Sequence, residues 1–553
     1  MSSYPVQSGL RHELRRDLIV DAWVKRILFY AHVIGRRRGA CVCLVIALTI
    51  VIRCALLPWL PRPEPYIHDE FSHLLGADTF ASGRLANPAH PLWQFFESCH
   101  IIAHPSYVMK YQPGQAAFLA LGQVLFGDPY WGVVISTALM TGAICWMMQS
   151  LLLPGWALIG GLFTALAFGG GHYWIQSYWG GSVTALASAL MVGAFARIVC
   201  FGRYRFIWLF AAGSALGLLT RPYEAGVLAA VLAMALIITY ARRKSWVALR
   251  RMAAPYGAVM IAWACFQMYY DRRVTGNVLK LPYFLHEEQY AVAPTFWMLS
   301  PRTPSPPQDP SLYELHWGWE KREYEGIRNM DLVAKVRRLA TRAITADPWR
   351  PGFHTTVPDL AGVMLYLLLL TPAFWFSRRV RSLTALAAAL ALSTCFIVWT
   401  FLHYIAPLLV IILALLFLLA SYLRCISANG RRVGNVLVAM ILLYLPLEPL
   451  LIARSAIHVF SNGGDQPYVQ ERARIIATLS RINGRHVVIV RYTAAPHFRE
   501  WVYNSAAIDA QKIVWARDRG ALENRKLLAY YHDRHIWMLY ATEVPPRLEP
   551  YRE

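Results

Sequence analysis

Apolar runs of about 20 residues recur along this 553-residue chain, and they limit its fold more than any other feature. A helix of that length spans a bilayer. The composition agrees, because 57% of the residues are hydrophobic and the mean hydropathy is +0.37, which is unlike a soluble enzyme. The predicted spans are 39–60, 131–149, 156–172, 180–199, 206–220, 225–240, 252–270, 358–376, 382–401, 404–422 and 433–453. The sequence therefore predicts an all-α polytopic membrane protein with about 11–12 transmembrane helices.

The net charge of +22 comes largely from basic residues between the apolar runs. Basic loops of this kind face the cytoplasm under the positive-inside rule. The rule predicts a cytoplasmic N-terminus and an extracytoplasmic C-terminus. The inner (plasma) membrane is the expected location. The basic residues do not form a stripe interleaved with aromatic side chains, so a nucleic-acid partner is not expected. The basic clusters lie around Arg197, Arg203, Arg243, Arg251, Arg379, Arg381, Arg424 and Arg432.

Three regions follow from the composition. Residues 1–38 are basic and partly amphipathic, which predicts a helix on the cytoplasmic surface before an uncleaved first span. Residues 39–453 form the membrane domain, with outer loops at 61–112 and 271–357. Residues 454–553 alternate between helical and strand-like segments, which predicts a small extracytoplasmic α/β domain with a largely parallel sheet.

Local patterns give finer expectations within these regions. Residues 113–126 are apolar but too short for an ordinary span, so a short or re-entrant helix is expected, and a full crossing stays open. Residues 332–346 have helical spacing and basic side chains, which is typical of a helix on the membrane surface. In the C-terminal region we expect helices at 469–480, 498–504 and 522–531 and strands at 486–492, 512–516 and 535–540. The nine cysteines form no disulfide framework.

Residues 66–115 contain the polar groups best placed for chemistry. The segment begins YIHDEFSHLLGADTFASGRLANP and ends HPSYVMKYQPGQ, directly after the first apolar run. Acidic and imidazole groups near a membrane usually mark function. Asp69 and Glu70 also lie where negative charge favours the first turn of a helix. A catalytic role and a helix-capping role are therefore both open for Asp69 and Glu70.

The combination of HDEFSHLLGADTFASGRL with KYQPGQ resembles the GT-C superfamily. These membrane glycosyltransferases use polyprenyl-phosphate sugars, and they include protein O-mannosyltransferases and the lipid A aminoarabinose transferase. The resemblance covers the first outer loop, the later helices as a pattern only, and the last hundred residues weakly. It implies a GT-C-like fold, an outer active site, a polyprenyl-phosphate sugar donor, and a lipid, glycan or protein acceptor.

The resemblance also implies roles for individual residues. Asp69 matches the catalytic carboxylate that deprotonates or orients the acceptor, with inversion at the sugar carbon, and Glu70 is the alternative. Lys110 and Tyr111 match the position near the donor phosphate. An arginine binds phosphate as a fork, so Arg221 in the outer turn LTRPYEAG is a second candidate, although pairing with Glu224 is equally open. Expected substrate contacts are His68, His73, His403 and Tyr404.

The sequence shows no clear set of metal ligands, so a divalent metal stays open but no site is assigned to it. The aminoarabinose transferase pattern has a metal-binding Glu before the Lys, and Met109 stands there in this chain. His100 and His104 would share one face of a helix, but Pro105 disfavours a helix at that point. The competing hypotheses are a transporter or lipid flippase, and a scaffold without activity. Inverted repeats and charged broken helices, which are typical of transporters, are absent from the sequence.

Overall fold

The computed structural model describes residues 5–344, 377–427, 433–461, 467–493 and 500–552, and these are mostly helical. The predicted span 358–376 lies outside the described residues. The helices up to the second outer loop are α1 Pro5–Gly35, α2 Arg38–Leu56, α3 His68–Ala81, α4 Pro113–Phe126, α5 Tyr130–Leu151, α6 Pro154–Gly169, α7 Ser182–Phe201, α8 Ile207–Leu218, α9 Pro222–Arg242 and α10 Trp246–Thr275.

The second outer loop carries α11 Pro282–Tyr290, α12 Pro310–Tyr313, a π-helical turn Glu314–Trp319, α13 Glu320–Arg328 and α14 Leu332–Ile344. The remaining membrane helices are α15 Arg378–Thr394, α16 Ala406–Leu423 and α17 Val433–Ser461. Six described helices, namely α2, α5, α7, α9, α16 and α17, are long and apolar enough to cross a membrane. Shorter apolar helices cover 113–126, 154–169 and 204–218. The chain is thus a multi-pass membrane protein.

The basic loops meet at one end of the helical bundle. The guanidinium of Arg379 donates to the carbonyl of Leu151 at the end of α5 (3.3 Å), and Arg243 donates to Val199 near the end of α7 (3.3 Å). Arg197 donates to the carbonyl of Trp146 at 2.7 Å. This clustering is what the positive-inside rule requires of loops on one side of a membrane.

Helix α4 begins and ends where its sequence indicates. Pro113 occupies the first turn, where its missing N–H costs nothing, and Gly127 ends the helix in the left-handed conformation with φ 74°. The prediction of a short helix over 113–126 is therefore confirmed. Its packing against α5 is close because Gly132 faces the carbonyl of Phe118, where a Cβ would lie only 2.0 Å from the oxygen.

The predicted span 382–401 is wrong at its last seven residues, 395–401. Helix α15 stops at Thr394, and the following residues pair with the second outer loop instead. Val398 N donates to the carbonyl of Thr295 (2.9 Å), and the indole of Trp297 donates to the carbonyl of Cys395 (2.7 Å). The apolar composition of this stretch reflects burial beneath the outer loop, which hydropathy does not distinguish from a span.

The C-terminal region forms the predicted α/β unit. Its elements are α18 Pro467–Arg481, β4 His486–Arg491, β5 Ile513–Arg517, α19 Ala521–Tyr530, β6 His535–Tyr540 and β7 Arg547–Pro550. β4 pairs in parallel with β5 and β6, and β7 adds an antiparallel edge that the sequence analysis did not predict. In chain order the first outer loop contributes β1 Asn87–Pro88, β2 Ile101–Ile102 and β3 Ser106–Met109.

The expected helix over 498–504 is not formed by its described residues. Residues 494–499 lie outside the described part, and 500–504 form neither helix nor strand. Trp501 N donates to the hydroxyl of Tyr492 (2.9 Å), and Val502 N donates to the carboxylate of Glu500 (2.8 Å). These side chains take up the backbone donors that a helix would use internally.

Candidate functional site

Two neighbouring cavities lie at the end of the bundle opposite the basic loops, where α7 and α9 begin. The first, here called the Asp69 cavity, has a volume of about 580 Å³, and the second, the Arg221 cavity, has about 950 Å³. Five residues line both cavities: Tyr111, Trp179, Tyr283, Trp399 and Tyr404. The Asp69 cavity is further lined by Ile67, His68, His100, Lys110, Trp319, Glu320, Phe401 and His403.

Asp69 and Glu70 are neighbours in the first turn of α3, but their side chains face different surroundings. The Glu70 carboxylate is buried and accepts hydrogen bonds from the backbone N–H groups of Tyr66 (2.8 Å), Ile67 (3.2 Å) and Tyr178 (2.9 Å). It caps the helix and fixes the loop before α7, and it is not among the described lining residues. The Asp69 side chain is 25% exposed and faces the first cavity.

Asp69 is surrounded by hydrogen-bond donors. The hydroxyl of Tyr111 donates to its carboxylate, and Nδ1 of His100 lies 3.3 Å from the same oxygen, Oδ1. Nε2 of His68 lies 3.9 Å from the other oxygen. Burial alone would raise the pKa of Asp69, but the adjacent His100 and His68 and the Tyr111 hydroxyl outweigh it and hold that pKa well below its usual range. Asp69 is therefore ionised at neutral pH.

The backbone around His100 is held in an unusual conformation. His100 has φ 59°, in the left-handed region that non-glycine residues rarely adopt. Its carbonyl accepts from the Ser72 hydroxyl (2.7 Å) and from Lys110 N (3.2 Å), which ties it to both α3 and the strand before Lys110. Strained backbone that is fixed by its neighbours is typical of functional sites.

The second outer loop adds a carboxylate to the same cavity. Glu320 lies 3.8 Å from Nε2 of His100 and 2.7 Å from Nδ1 of His316. Burial would raise the pKa of Glu320, but His316, His100 and Lys110 together lower it. The ring of His286 lies 5.8 Å from that of His100 and 5.3 Å from that of His316. A π-helical turn, which is rare and often functional, precedes Glu320.

Lys110 supplies the positive charge of the Asp69 cavity. It is buried, and its ammonium lies 5.4 Å from the centre of the Tyr111 ring and 4.9 Å from that of Tyr283. Burial lowers the pKa of Lys110, while Glu320 and Asp69 act against this shift. A buried ammonium over aromatic rings is a compact cation suited to an anion such as phosphate.

Arg221 supplies the cation of the second cavity. Its guanidinium stacks over the Tyr404 ring at 3.9 Å. Burial opposes the charge, but Tyr404 and Glu224 outweigh it and raise the pKa of Arg221. His73 stacks on Tyr111 at 4.7 Å and lines the same cavity. Burial lowers the pKa of His73 to about 3, so this imidazole is neutral.

His403 lines the Asp69 cavity, with Nδ1 3.2 Å from the hydroxyl of Tyr173 and its ring 4.9 Å from that of Trp179. Burial, with the charge of Arg221, holds the pKa of His403 well below its usual value.

Of the candidate site residues that the sequence suggested, all except Glu70 line one or both cavities. The sequence analysis missed Glu320, His316 and His286, which lie in the long, aromatic-rich second outer loop.

The sequence argued against His100 as a metal ligand, because Pro105 disfavours a helix that would place His100 and His104 on one face. The structure has no helix at 100–104, as expected, but His100 in its left-handed turn lines the Asp69 cavity. With His68 and Asp69 it forms a group whose ligand atoms lie within 4.8 Å of one another. Two imidazoles and one carboxylate with an open side match the ligand number and type of catalytic zinc sites. These three residues thus fit a divalent ion, and Met109 does not take part in the group.

Comparison with protein-family models finds no match, and comparison with curated proteins finds none either. Among solved structures, the chain is similar to the oligosaccharyltransferase of Archaeoglobus fulgidus tethered with an acceptor peptide, with 10% identity and a TM-score of 0.47, over 91% of this chain and 68% of that one. It is also similar to ArnT from Cupriavidus metallidurans bound to undecaprenyl phosphate, with 14% identity and a TM-score of 0.47, over 92% and 94%.

A further structure of the Archaeoglobus enzyme, in complex with zinc and sulfate, has 11% identity and a TM-score of 0.45, over 81% of this chain and 60% of that one. The fold and the site define a helical, multi-pass membrane protein with two cavities at one end of its helices, each lined largely by aromatic and aliphatic side chains with a few charged groups.

Proposed function

We propose that this chain is a membrane glycosyltransferase that moves a sugar from a polyprenyl-phosphate donor to an extracytoplasmic acceptor. One observation carries the proposal. An ionised carboxylate, Asp69, and a buried ammonium, Lys110, line one cavity, and that cavity shares an aromatic wall with a larger one containing Arg221. Such a pair of cavities suits a reaction that joins a hydroxyl acceptor to a lipid-linked, anionic donor.

The lipid would enter through the Arg221 cavity. Its walls include the apolar side chains of Leu281, Phe284, Phe296 and Ile397, beside the single guanidinium of Arg221. Phe284 is also 40% exposed on the outer surface, next to the apolar lining. A mainly apolar cavity with one or two fixed cations matches the chemistry of a polyprenyl phosphate.

The reaction balances with the groups present. The acceptor oxygen attacks the anomeric carbon, the bond from that carbon to the phosphate oxygen breaks, and the hydroxyl proton passes to Asp69. The polyprenyl phosphate leaves with the electron pair of the broken bond, and Lys110 and Arg221 stabilise its charge. A single displacement inverts the sugar carbon. The low pKa of Asp69 keeps it ionised, so it orients the hydroxyl first and takes the proton as attack proceeds.

A divalent ion at His68, Asp69 and His100 would add positive charge next to the reacting oxygens. Metal analysis of the purified protein tests this directly. We expect about one equivalent of bound ion in the wild type and its loss in His100→Ala, whereas equal metal content in both would remove these residues as ligands.

The function itself is tested with a labelled polyprenyl-phosphate sugar and membranes from the expressing cells. Transfer of label to an acceptor by the wild type, and its loss in Asp69→Asn, is the expected result. A wild type that binds the lipid but transfers no label from any sugar donor offered would instead favour the transporter or flippase alternative. The identity of the labelled product would also define the acceptor as lipid, glycan or protein.

A further inference from the structure

Arg517, at the end of β5, belongs to the C-terminal domain, yet its guanidinium is buried between segments of both outer loops. We propose that Arg517 is a positioning residue that holds His100 and Glu320 in place around Asp69, which makes the C-terminal domain an integral part of the active site. The proposal rests on the proposed function for its catalytic consequence. Its structural content is independent of the reaction.

The guanidinium joins three parts of the chain. Its Nε donates to the carbonyl of Glu97 in the first outer loop. Its Nη1 lies 2.6 Å from the carboxylate of Asp309 and donates to the hydroxyl of Ser311 at 3.0 Å, both in the second outer loop. Its Nη2 pairs with Glu500 of its own domain. A planar fork with five fixed donors can satisfy such divergent acceptors, and an ammonium cannot.

Each outer-loop contact leads to a residue beside Asp69. Glu97 precedes His100 by three residues, and the intervening Cys99 is itself buried with its sulfur 3.8 Å from the Glu500 carboxylate. Asp309 caps α12, and the helical run that starts there continues through the π-helical turn to Glu320. His100 and Glu320 then meet at 3.8 Å in the cavity. Arg517 thus fixes the distance between the two segments that carry them.

The same domain also holds the helix that carries Asp69. The rings of Phe71 and Tyr503 stack at 3.9 Å, with an interplanar angle of 5°. Farther along α3, the carboxylate of Asp78 accepts from Ala506 N at 2.7 Å. The C-terminal domain therefore contacts three walls of the cavity region without any of its own described residues lining the cavity. A domain in this position can set the geometry of the reaction while taking no part in the chemistry.

Arg517→Lys keeps the charge and removes the fork, so it tests positioning rather than charge. In the full-length protein we expect turnover to fall by about 100-fold, the scale of a misplacement near 1 Å, with donor binding unchanged. Arg547→Lys is the matched control, because Arg547 lies on β7 of the same domain but is exposed, and its ion pairs are with the surface carboxylates of Glu543 and Glu549. That variant should keep full turnover.

A double-substitution cycle separates positioning from general damage. If Arg517 acts through Glu320, adding Arg517→Lys to a Glu320→Gln protein should lower turnover by much less than it does in the wild type. If instead the fold-losses of turnover caused by the two substitutions multiply in full in the double variant, the proposal is overturned. Should Arg517→Lys not fold, Asp309→Asn takes its place, because asparagine still caps α12 but loses the charge that Arg517 binds.

Hydrogen exchange of the same variants needs no substrate. Arg517→Lys should speed exchange in residues 97–103 and 310–320 together, and Arg547→Lys in neither. Such a result in a protein that transfers no sugar would leave the structural proposal standing and defeat the proposed function. Unchanged exchange in both segments, or wild-type turnover in both Arg517→Lys and Asp309→Asn, would overturn the positioning role.

Discussion

The two adjacent carboxylates of α3 face different surroundings. Glu70 is fully engaged with three backbone N–H groups, whereas Asp69 faces the cavity among His68, His100 and Tyr111. Asn is nearly the same shape as Asp and caps helices equally well. Asp69→Asn should therefore lower turnover by roughly 100-fold, the usual scale of general base catalysis, while donor binding and thermal stability persist. Turnover and melting temperature measured on one preparation check this.

Glu70→Gln is the companion substitution. It replaces one acceptor oxygen by an amide donor next to buried backbone N–H groups, so we expect a loss of about 1–3 kcal/mol of stability. Turnover per folded molecule should stay close to that of the wild type. A stable Glu70→Gln protein without activity, beside an active Asp69→Asn protein, would move the catalytic role to Glu70.

Lys110 and Arg221 are expected to bind the donor phosphate from the two cavities. Replacing either by Ala removes a charged hydrogen bond worth about 1.5–3 kcal/mol, which corresponds to roughly 10- to 100-fold weaker binding of a polyprenyl phosphate. Native mass spectrometry or a lipid-competition assay measures this. The control is Lys280→Ala, because Lys280 is an outer lysine that pairs with Glu288 at the surface. Unchanged binding in both test variants would remove these residues from the donor site.

The candidate residues were predictable where a motif or a short polar turn beside an apolar run marks them. Asp69, Lys110 and Tyr111 belong to the two motifs of the first outer loop, and Arg221 belongs to a polar turn between two apolar runs. Glu320 carries no comparable local signal, since its neighbours form an amphipathic helical pattern like that of any surface helix. It reaches the cavity only because α12 and the π-helical turn fold back over the first outer loop, a tertiary arrangement that sequence spacing does not contain.

At the scale of elements, hydropathy predicted the long membrane helices and failed where burial has another cause. Residues 395–401 are apolar because the second outer loop covers them, and they contact it through an isolated bridge between Ile397 and Phe296 and adjacent backbone hydrogen bonds. The sheet of the C-terminal domain was predictable for β4, β5 and β6, whose runs are uniformly apolar. The edge strand β7 was not, because its sequence RLEP has neither an apolar run nor strict alternation.

The placement of the helix ends also makes the membrane orientation testable. Single cysteines replacing Arg243 or Arg378, at the basic end, should react with membrane-permeant reagents only. Cysteines replacing Arg84 or His532, on the side of the cavities, should react with impermeant ones. The protein used should first be freed of its exposed native cysteines, which are Cys43, Cys54, Cys200, Cys265 and Cys425. External labelling at position 378 would place the cavities in the cytoplasm and contradict the proposed outer site.

At the scale of the whole molecule, the bundle and both outer loops enclose the cavities, and the C-terminal domain contacts the loops from outside. A ligand that fills them should therefore stabilise the assembly as a unit. A ligand at 100 times its dissociation constant adds about 2.7 kcal/mol to the stability of the folded state. Undecaprenyl phosphate should accordingly raise the melting temperature of the purified protein.

The size of that rise should depend on the lipid chain as well as the phosphate, since the Arg221 cavity is walled mainly by apolar side chains. At equal concentration we expect little effect from inorganic phosphate, an intermediate one from a short-chain prenyl phosphate and the largest from undecaprenyl phosphate. Asp69→Asn should keep the effect, because Asp69 lines the other cavity and its proposed partner is the acceptor, and Arg221→Ala should lose most of it. Equal stabilisation by inorganic phosphate and undecaprenyl phosphate would show that the larger cavity does not receive the lipid chain.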